Sequence, residues 1–399
     1  AEAGRPLRYI DLMGGQKPHL MTSYRNNFGK TTSLFYKSST HFYLKDKKAG
    51  TPWVTKLPFP VHVLAKTEVR DAVSQSRFAM KYTYHHGYYD YKEREFRGFG
   101  RVDTLDTESY EHYAAKKEGD TNSIQITDES FYQPPVLTKT WFHTGAFLEK
   151  EKILRQFADE YFQNTAFAEY HLPDAVIELP EGMLLSDFSV TEYREALRAC
   201  KSMPIRTEVY ALDGTDHEPI PYTTAETNAN IQLLQAQGEN RHAVFLVKES
   251  EAITYHYERN SADPRIAHKL NLEIDDIGNI RKSAAVVYPR VAIPQDLPAS
   301  VQREQAKQHI VYSENEYTND IGSLWDDSRD FRHRELCEAK TYELTGAKPE
   351  NDFFQLEELR QATERATELE YQQSTTAGAV EKRLIEHVRT LFMDIDDPN

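Results

Sequence analysis

No run of roughly 18 apolar residues occurs anywhere in this chain of 399 residues, so no segment reads as a membrane-spanning helix. The opening residues, Ala1-Glu2-Ala3-Gly4-Arg5-Pro6, hold no apolar core of the kind a secretory signal needs. The chain starts without Met and is expected to be a piece of a longer one. Cysteine is nearly absent. Cys200 and Cys337 allow at most one bridge and no disulfide framework, and both fall in helix-like stretches where a buried free thiol is expected. Basic charge is in deficit: 48 Lys and Arg face 63 Asp and Glu, for a net charge of -15. That excludes the basic surface a nucleic-acid binder uses to displace counterions. Plain apolar residues are also scarce. With glycine counted in place of tyrosine, the apolar set is roughly 37% of the chain, against a usual ~45–50%. Such a chain has too little aliphatic material for a thick doubly wound core.

What is abundant is aromatic. Rings make up 12% of the residues, with 24 Tyr and 19 Phe. Thin sheets with one wet face suit that balance, because a tyrosine can pack its ring and keep its hydroxyl hydrated. The first 110 residues read as strands and turns. His19-Leu20-Met21-Thr22-Ser23-Tyr24 and Thr32-Ser33-Leu34-Phe35-Tyr36 flank Asn26-Asn27-Phe28-Gly29, a hairpin signal. Thr40-His41-Phe42-Tyr43-Leu44 reads as a further strand closed by Asp46 to Gly50, and prolines confine Trp53-Val54-Thr55-Lys56-Leu57 to a short or edge element. Phe78 to Tyr84 alternates toward a turn at His85-His86-Gly87-Tyr88-Tyr89-Asp90, with Glu93 to Val102 as the return strand.

The same hairpin design recurs, without a strict period, in Ala243 to Val247 with Ile253 to Tyr257, and in Leu270 to Ile274 with Ala284 to Tyr288. Helical spacing covers 149–162, 351–369 and 380–392, and Ser189-Val190-Thr191-Glu192 is a capping box ahead of Tyr193, Ala196, Leu197 and Cys200. Linkers are expected at 110–121 and 294–298.

Reactive chemistry has little to stand on. Gly29-Lys30-Thr31 looks like the end of a P-loop, but Tyr24 occupies the position of its first glycine and a strand follows instead of a helix. Gly98-Phe99-Gly100 reads as a tight turn or bulge. His85 and His86 are neighbours on a strand and point to opposite faces, so they are poor joint metal ligands, and no HExxH or CxxC completes a set. His242 with His256, and His41 with His62, lack ligand spacing. Asp275-Asp276 sits in a turn that ends Gly278-Asn279, where carboxylates satisfy local backbone groups. Asp326-Asp327 and the tail Asp394-Ile395-Asp396-Asp397 have no calcium-loop spacing. No serine sits in a nucleophile elbow. Catalytic residues, cofactor-binding residues and metal ligands are therefore all read as none.

Several long strings do point somewhere. They include Thr40-His41-Phe42-Tyr43-Leu44 with Trp53-Val54-Thr55-Lys56-Leu57-Pro58-Phe59-Pro60-Val61-His62, and Tyr84-His85-His86-Gly87-Tyr88-Tyr89-Asp90 with Glu95-Phe96-Arg97-Gly98-Phe99-Gly100. Pro134-Pro135-Val136-Leu137-Thr138-Lys139-Thr140-Trp141-Phe142-His143-Thr144-Gly145 and Glu208-Val209-Tyr210-Ala211-Leu212-Asp213-Gly214 continue the series. Asn240-Arg241-His242-Ala243-Val244-Phe245, Tyr255-His256-Tyr257-Glu258-Arg259-Asn260 and Asp263-Pro264-Arg265 complete it. Through these strings nearly the whole chain resembles the middle region of the B component of bacterial insecticidal toxin complexes, the Tc toxins.

That resemblance implies a B component with an SpvB-like region, a β-propeller that docks on the pore-forming A component, middle regions and Rhs-type (YD-repeat) β-strips. The strips wind with the C component into a hollow shell that keeps the cytotoxic part of C unfolded. On this reading residues 1–66 end the first middle region at the propeller exit, and 67–130 form a connecting hairpin segment. Residues 131–290 form the second middle region in the shell wall, and 291–399 lead into the Rhs-like shell with helices. The propeller's calcium-loop-like repeats, the full YD array and the self-cleaving C component are not in this sequence, so no catalytic residue carries over.

The expectation is thus a mainly β fold, with antiparallel β-strips and hairpins of an Rhs/YD-type shell and a few helical insertions. Its function is non-enzymatic encapsulation in a secreted toxin complex, with the C and A components as partners, no cofactor, no nucleic acid and no direct membrane insertion. The alternative from another class is a secreted carbohydrate-binding or glycan-processing β-protein, which would show an exposed aromatic row beside a deep acidic cleft.

Overall fold

The computed structural model describes residues 17–74, 76–106, 134–180, 182–320, 322 and 332–392. The expected linker at 110–121, Asp326-Asp327 and the acidic tail from Asp394 lie outside those residues. Sixteen strands form one sheet: β1 (Ser23–Arg25), β2 (Lys30–Ser38), β3 (His62–Asp71), β4 (Arg77–Asp90), β5 (Glu95–Leu105), β6 (Val136–Phe142), β7 (Val176–Glu178), β8 (Pro204–Ala211), β9 (Thr223–Gln235), β10 (Val244–His256), β11 (Arg265–Ile274), β12 (Ile280–Val287), β13 (His309–Tyr317), β14 (Leu336–Thr345), β15 (Thr367–Leu369) and β16 (Glu381–Arg389). Their order in space follows the chain, except that β7 pairs beside β9 and β16 lies between β14 and β15. The pairings are antiparallel apart from those of β7 with β9 and β15 with β16. Five helices among the described residues accompany the sheet: α1 (Ser39–Lys48), α2 (Lys150–Glu160), α3 (Val190–Ala199), α4 (Ala299–Gln305) and α5 (Leu356–Arg365).

Several local expectations hold. Asn27 (φ 60°) and Gly29 (φ 98°) supply the left-handed backbone that turns β1 into β2. The Asp275 carboxylate accepts from the backbone N–H of Ile277 and Asn279 in the β11–β12 turn. Gly98 sits in a bulge, where Gly87 and Tyr89 of β4 pair with Phe99 and Phe96 of β5. The Ser189 hydroxyl accepts from the Glu192 N–H at 3.1 Å, and the Glu192 carboxylate accepts from the Ser189 N–H, closing the capping box of α3. Ser189→Ala is expected to weaken α3 by about 1 kcal/mol. The check is faster amide hydrogen exchange across Val190–Ala199, and unchanged exchange there would show that tertiary packing alone holds the helix.

Other expectations fail for identifiable reasons. Thr40 to Leu44 is not a strand but the first half of α1. The Ser38 hydroxyl caps Thr40 N–H, Phe42 and Asp46 are buried four residues apart on one face, and Lys45, Lys47 and Lys48 complement the C-terminal carbonyls. Residues 380–392 are not helical. Glu381–Arg389 pairs along β14 with one bulge at Ile385, and the ladder overrides a helix-like charge pattern. Cys337 therefore lies on a strand, half-buried, while Cys200 is the buried C-cap of α3; both are free. The turn expected at His85 to Asp90 is strand, and the chain reverses at residues 91–94. Val244–His256 is one strand with a bulge in place of a hairpin. Trp53 to Leu57 is irregular, and α4 was missed behind Pro298.

The strands divide their charge between the two faces. His85, Arg101, Trp141, Arg206, Glu226, Ile253 and His268 are register partners in one row across seven strands from β4 to β11. The next row on that face runs Thr83, Asp103, Lys139, Glu208, Thr224 and Tyr255. The opposite face carries Tyr84, Val102, Thr140, Thr207, Ala225, Thr254 and Ala267, beside Tyr82, Thr104, Thr138, Val209 and Thr223. From β4 to β9 those two rows hold no charge; the second continues through His256 to Arg265 on β11.

α2 and the α5 region cover the charged face, while Phe42 of α1 meets Tyr84 at the β4 end of the other. Ile153 and Phe157, one helical turn apart, seat α2 on Trp141, and Gly100 admits the Phe157 ring where a Cβ would stand 2.4 Å from it. Toward the C-terminus the same face turns aromatic and aliphatic. Tyr255, Leu270, Tyr312 and Tyr342 meet Phe354 and Leu359 of the α5 region, and complete burial of such side chains stabilises by about 1.5–3 kcal/mol each.

Candidate functional site

The covered charges assemble into a seam between the sheet and the segment 160–172. Its two nodes begin in the sequence as Arg101-Val102-Asp103 and Arg206-Thr207-Glu208. Strand period two places each Arg and its acidic neighbour on one face.

In the first node His85 Nδ1 lies 2.6 Å from Asp46 Oδ2 of α1, and its Nε2 lies 3.3 Å from Asp103 Oδ2. Arg101 donates to Asp103 through Nε at 2.7 Å and to Glu160 through Nη1 at 2.9 Å. His86 Nε2 is 2.8 Å from the other Glu160 oxygen. The expected separation of the two histidines fails because His86 has left-handed backbone (φ 57°), which breaks the strand alternation and brings both imidazoles into one network.

In the second node Arg206 is fully buried and lies 2.8 Å from Glu169, 2.8 Å from Glu208 and 2.5 Å from Glu226. Glu208 accepts from the Phe162 N–H and the Tyr210 hydroxyl, and Glu226 accepts from the Leu172 N–H. Glu169 accepts from the Thr224 and Tyr257 hydroxyls. Rings bridge the nodes: the Arg101 guanidinium lies over Trp141, Trp141 meets Tyr161 edge-on at 5.0 Å, and Arg206 stacks on Tyr161 at 4.7 Å.

The electrostatics are those of a clasp. Burial alone would raise the Asp103 carboxyl, but hydrogen bonds from Arg101 and His85 hold it far below its ordinary value. Burial opposes ionisation of Glu160 and Glu226 as well, and is outweighed for Glu160 by His86 and Arg101, and for Glu226 by His171 and Arg206. His85 is raised, the pull of Asp103 and Asp46 exceeding its desolvation, and His171 is raised by its hydrogen bond to Glu226. Each lowered carboxyl contributes stability above its ordinary range (3.8 for Asp, 4.5 for Glu) that is lost as pH falls through the lower folded value. Each raised histidine contributes below 6.5, and that contribution is lost as pH rises through the higher folded value. Thermal stability is therefore expected to plateau between about pH 4.5 and 6.5 and to fall on both sides. A melting temperature that climbs steadily from pH 6 to 8 would sink this account.

Glu169, His171 and Glu226 place three possible metal-ligand atoms within 4.8 Å of one another. The Arg206 guanidinium already supplies the positive charge between the two carboxylates, so the trio suits that cation without a metal. A cavity of about 670 Å³ opens beside it, lined in part by Tyr161, His171, Asp174, Ile205 and Glu226. Carboxylates with shifted acidity here are held as anions, and burial pushes the Cys200 thiol up to about 12. The seam is built to hold elements together.

The other sequence candidates stay apart. Asp275 and Asp276 both pair with Arg334 at the β11–β12 turn. His242 meets Glu195 and His41 approaches Lys37, while Lys30 opens β2. Sequence reasoning missed Arg101, Asp103, Glu160, Glu169, Arg206, Glu208 and Glu226. The legible signal was the repeated Arg-x-acid at strand period.

Comparison with known proteins gives this architecture a family. Residues 11–145 match the insecticide toxin TcdB middle/N-terminal region, and residues 195–326 match the TcdB middle/C-terminal region. Among solved structures, the TcdB2–TccC3 complex is similar at 25% identity and a TM-score of 0.63 over 80% of this chain. The same complex without its hypervariable C-terminal region is similar at 26% identity, a TM-score of 0.63 and 80% coverage. A Photorhabdus luminescens Tc holotoxin pore is similar at 25% identity and a TM-score of 0.66 over 85% of this chain. The chain spans 15% of the length of each of these relatives. No curated protein matches it. With both middle-region models matched along one continuous sheet, the chain belongs to the middle region of the Tc toxin B component family.

Proposed function

We propose that this chain is a non-enzymatic stretch of shell wall in a secreted Tc toxin. On this reading it helps enclose the cytotoxic part of a C component and links that shell to a pore-forming A component. The observation that carries the reading is the sheet: strands follow one another antiparallel along the chain, with α2 and the α5 region laid on one face. Such a ribbon extends by adding strands at its ends. The names of the similar structures, complexes with TccC3 and a holotoxin pore, support the two partners. Residues 1–66 close the first middle region, 67–130 connect, 131–290 form the second middle region and 291–399 lead into the Rhs-like strips. The position 66/67 falls inside β3, so these are regions of sequence within one sheet. Among the described residues no helix is long and apolar enough to cross a membrane.

The carbohydrate-binding alternative gains nothing from the aromatics. Phe59, Tyr89 and Tyr91 do form a short row, but the rings meet edge-on at 81° and 89° and offer no coplanar platform for a sugar face.

The test is proteolysis of cargo in a co-expressed B–C complex. Intact complex should protect the cargo, and complex lacking residues 131–290 of this chain should leave it digestible. Equal protection in both would sink the encapsulating role. A second expected result concerns the isolated chain. β1 and β15 are three residues each and leave much of the outer edges of β2 and β16 unpaired among the described residues. Unpaired edges recruit other strands, so the chain should self-associate at roughly tens of micromolar. A monodisperse monomer in light scattering would count against the ribbon reading.

A further inference from the structure

We infer that the uncharged face of the sheet is the side turned toward the enclosed polypeptide, and that it is built to contact unfolded chain without gripping it. This rests on the shell reading above and adds to it which side chains meet the cargo. The observation is the division of charge. From β5 to β9 Arg101, Asp103, Lys139, Arg206, Glu208 and Glu226 all project to one face, where α2 and the segment 160–172 reach Arg101, Arg206, Glu208 and Glu226. Their neighbours in the chain, at strand period on the other face, are Val102, Thr104, Thr140, Thr207, Val209 and Ala225. These side chains are half-buried by one another, and none belongs to a packed apolar cluster among the described residues.

That is the reverse of an ordinary half-wet sheet, where charge faces water and apolar side chains face the covering layer. The composition also says what occupies the open side. A folded partner is held by aromatic and arginine anchors seated in pockets, with a polar rim. From β5 to β9 this face has short, β-branched or methyl side chains and no cation or anion over its central rows, with Tyr82 and Tyr84 at its β4 end and Arg265 and Lys269 beyond it on β11. A confined chain carries both signs of charge and long apolar stretches. A wall of threonine, valine and alanine forms no ion pair with the first and buries little area against the second, so contacts stay weak along its whole length. The charged face could not serve: each of its carboxylates and guanidiniums is already committed beneath cover.

The experiment uses the full B–C complex containing this chain, in a Cys337→Ser background that leaves this chain only the buried Cys200, with labelling of the complex before cysteine placement as the baseline. Single cysteines are placed on the uncharged face, Thr140→Cys and Thr254→Cys, and on the exposed sides of the covering helices, Lys152→Cys and Glu364→Cys. Each is treated with a small maleimide, with a maleimide bearing a bulky polyethylene glycol, and with a benzophenone maleimide followed by light. Thr140→Cys and Thr254→Cys should accept the small reagent, exclude the bulky one and crosslink to the cargo part of the C chain. Lys152→Cys and Glu364→Cys should accept both and give no cargo crosslink. The opposite pattern overturns the assignment of faces and leaves the shell reading standing. Bulky labelling at all four sites shows that no enclosed space exists and overturns both. As a second variant, Thr140→Lys with Thr254→Lys should retain assembly and slow release of an acidic cargo several-fold; unchanged release would overturn the non-gripping role.

Discussion

Arg206→Ala is expected to cost the folded chain about 3–5 kcal/mol at neutral pH, the largest effect of any single polar substitution here. The guanidinium is the shared counter-ion of buried Glu208 and Glu226 and of half-buried Glu169. Removing it leaves three carboxylates with only the His171 imidazole and neutral donors beside them. The same carboxylates accept from the Phe162 and Leu172 backbone N–H, so the loss should appear first where segment 160–172 meets the sheet. Amide hydrogen exchange on the whole B component is the measurement: Phe162 and Leu172 should lose protection by two to three orders of magnitude, about 1.4 kcal/mol for each factor of ten. The defect should shrink toward pH 4, where the stranded carboxylates can take up protons, and grow toward pH 8. Replacing the three glutamates by Gln alongside Arg206→Ala should recover part of the stability. A single-variant cost below about 1 kcal/mol would mean that apolar contacts alone clasp the cover to the wall.

Gly346→Ala is expected to cost about 2–5 kcal/mol through the backbone. Gly346 follows β14 with φ 74°, and a Cβ there would lie 1.9 Å from the Ala379 carbonyl oxygen, immediately before β16. Main-chain atoms cannot swing away as a flexible side chain does. β16 must move off β14 or the turn must open. Gly378 is the internal control: it also has positive φ (83°), but nothing stands within 4 Å of its Cβ position. Gly378→Ala should therefore show only the conformational part, about 1–2 kcal/mol. Loss of exchange protection across Glu381–Arg389 in Gly346→Ala, and little in Gly378→Ala, would confirm the distinction. Equal losses would show that chain closure at Ala379 is not the constraint.

Two elements show why some of this could be read from the sequence and some could not. The β11–β12 hairpin was legible because its information is local: Asp275 binds the N–H groups two and four residues on, and alternation on either side needs no partner to be recognised. The α3 capping box was legible for the same reason. α1 and β16 exchanged their expected types. Thr40 to Leu44 alternates in polarity well enough for a strand, yet Asp46 gains its partners, Trp53 and His85, only when the segment coils. Glu381–Arg389 has the spacing of a charged helix, and only an open edge on β14 makes it a strand.

By itself the sequence determined that this is a thin, aromatic, mainly antiparallel sheet protein without a nucleophile motif, because composition and period-two patterning act residue by residue. The tertiary structure decided which face carries the charge. Arg101 and Arg206 recruit Glu160 and Glu169 from a segment that is remote from both in the chain, and the direction in which a strand's odd and even side chains point is defined only once its neighbours are paired and one side is covered.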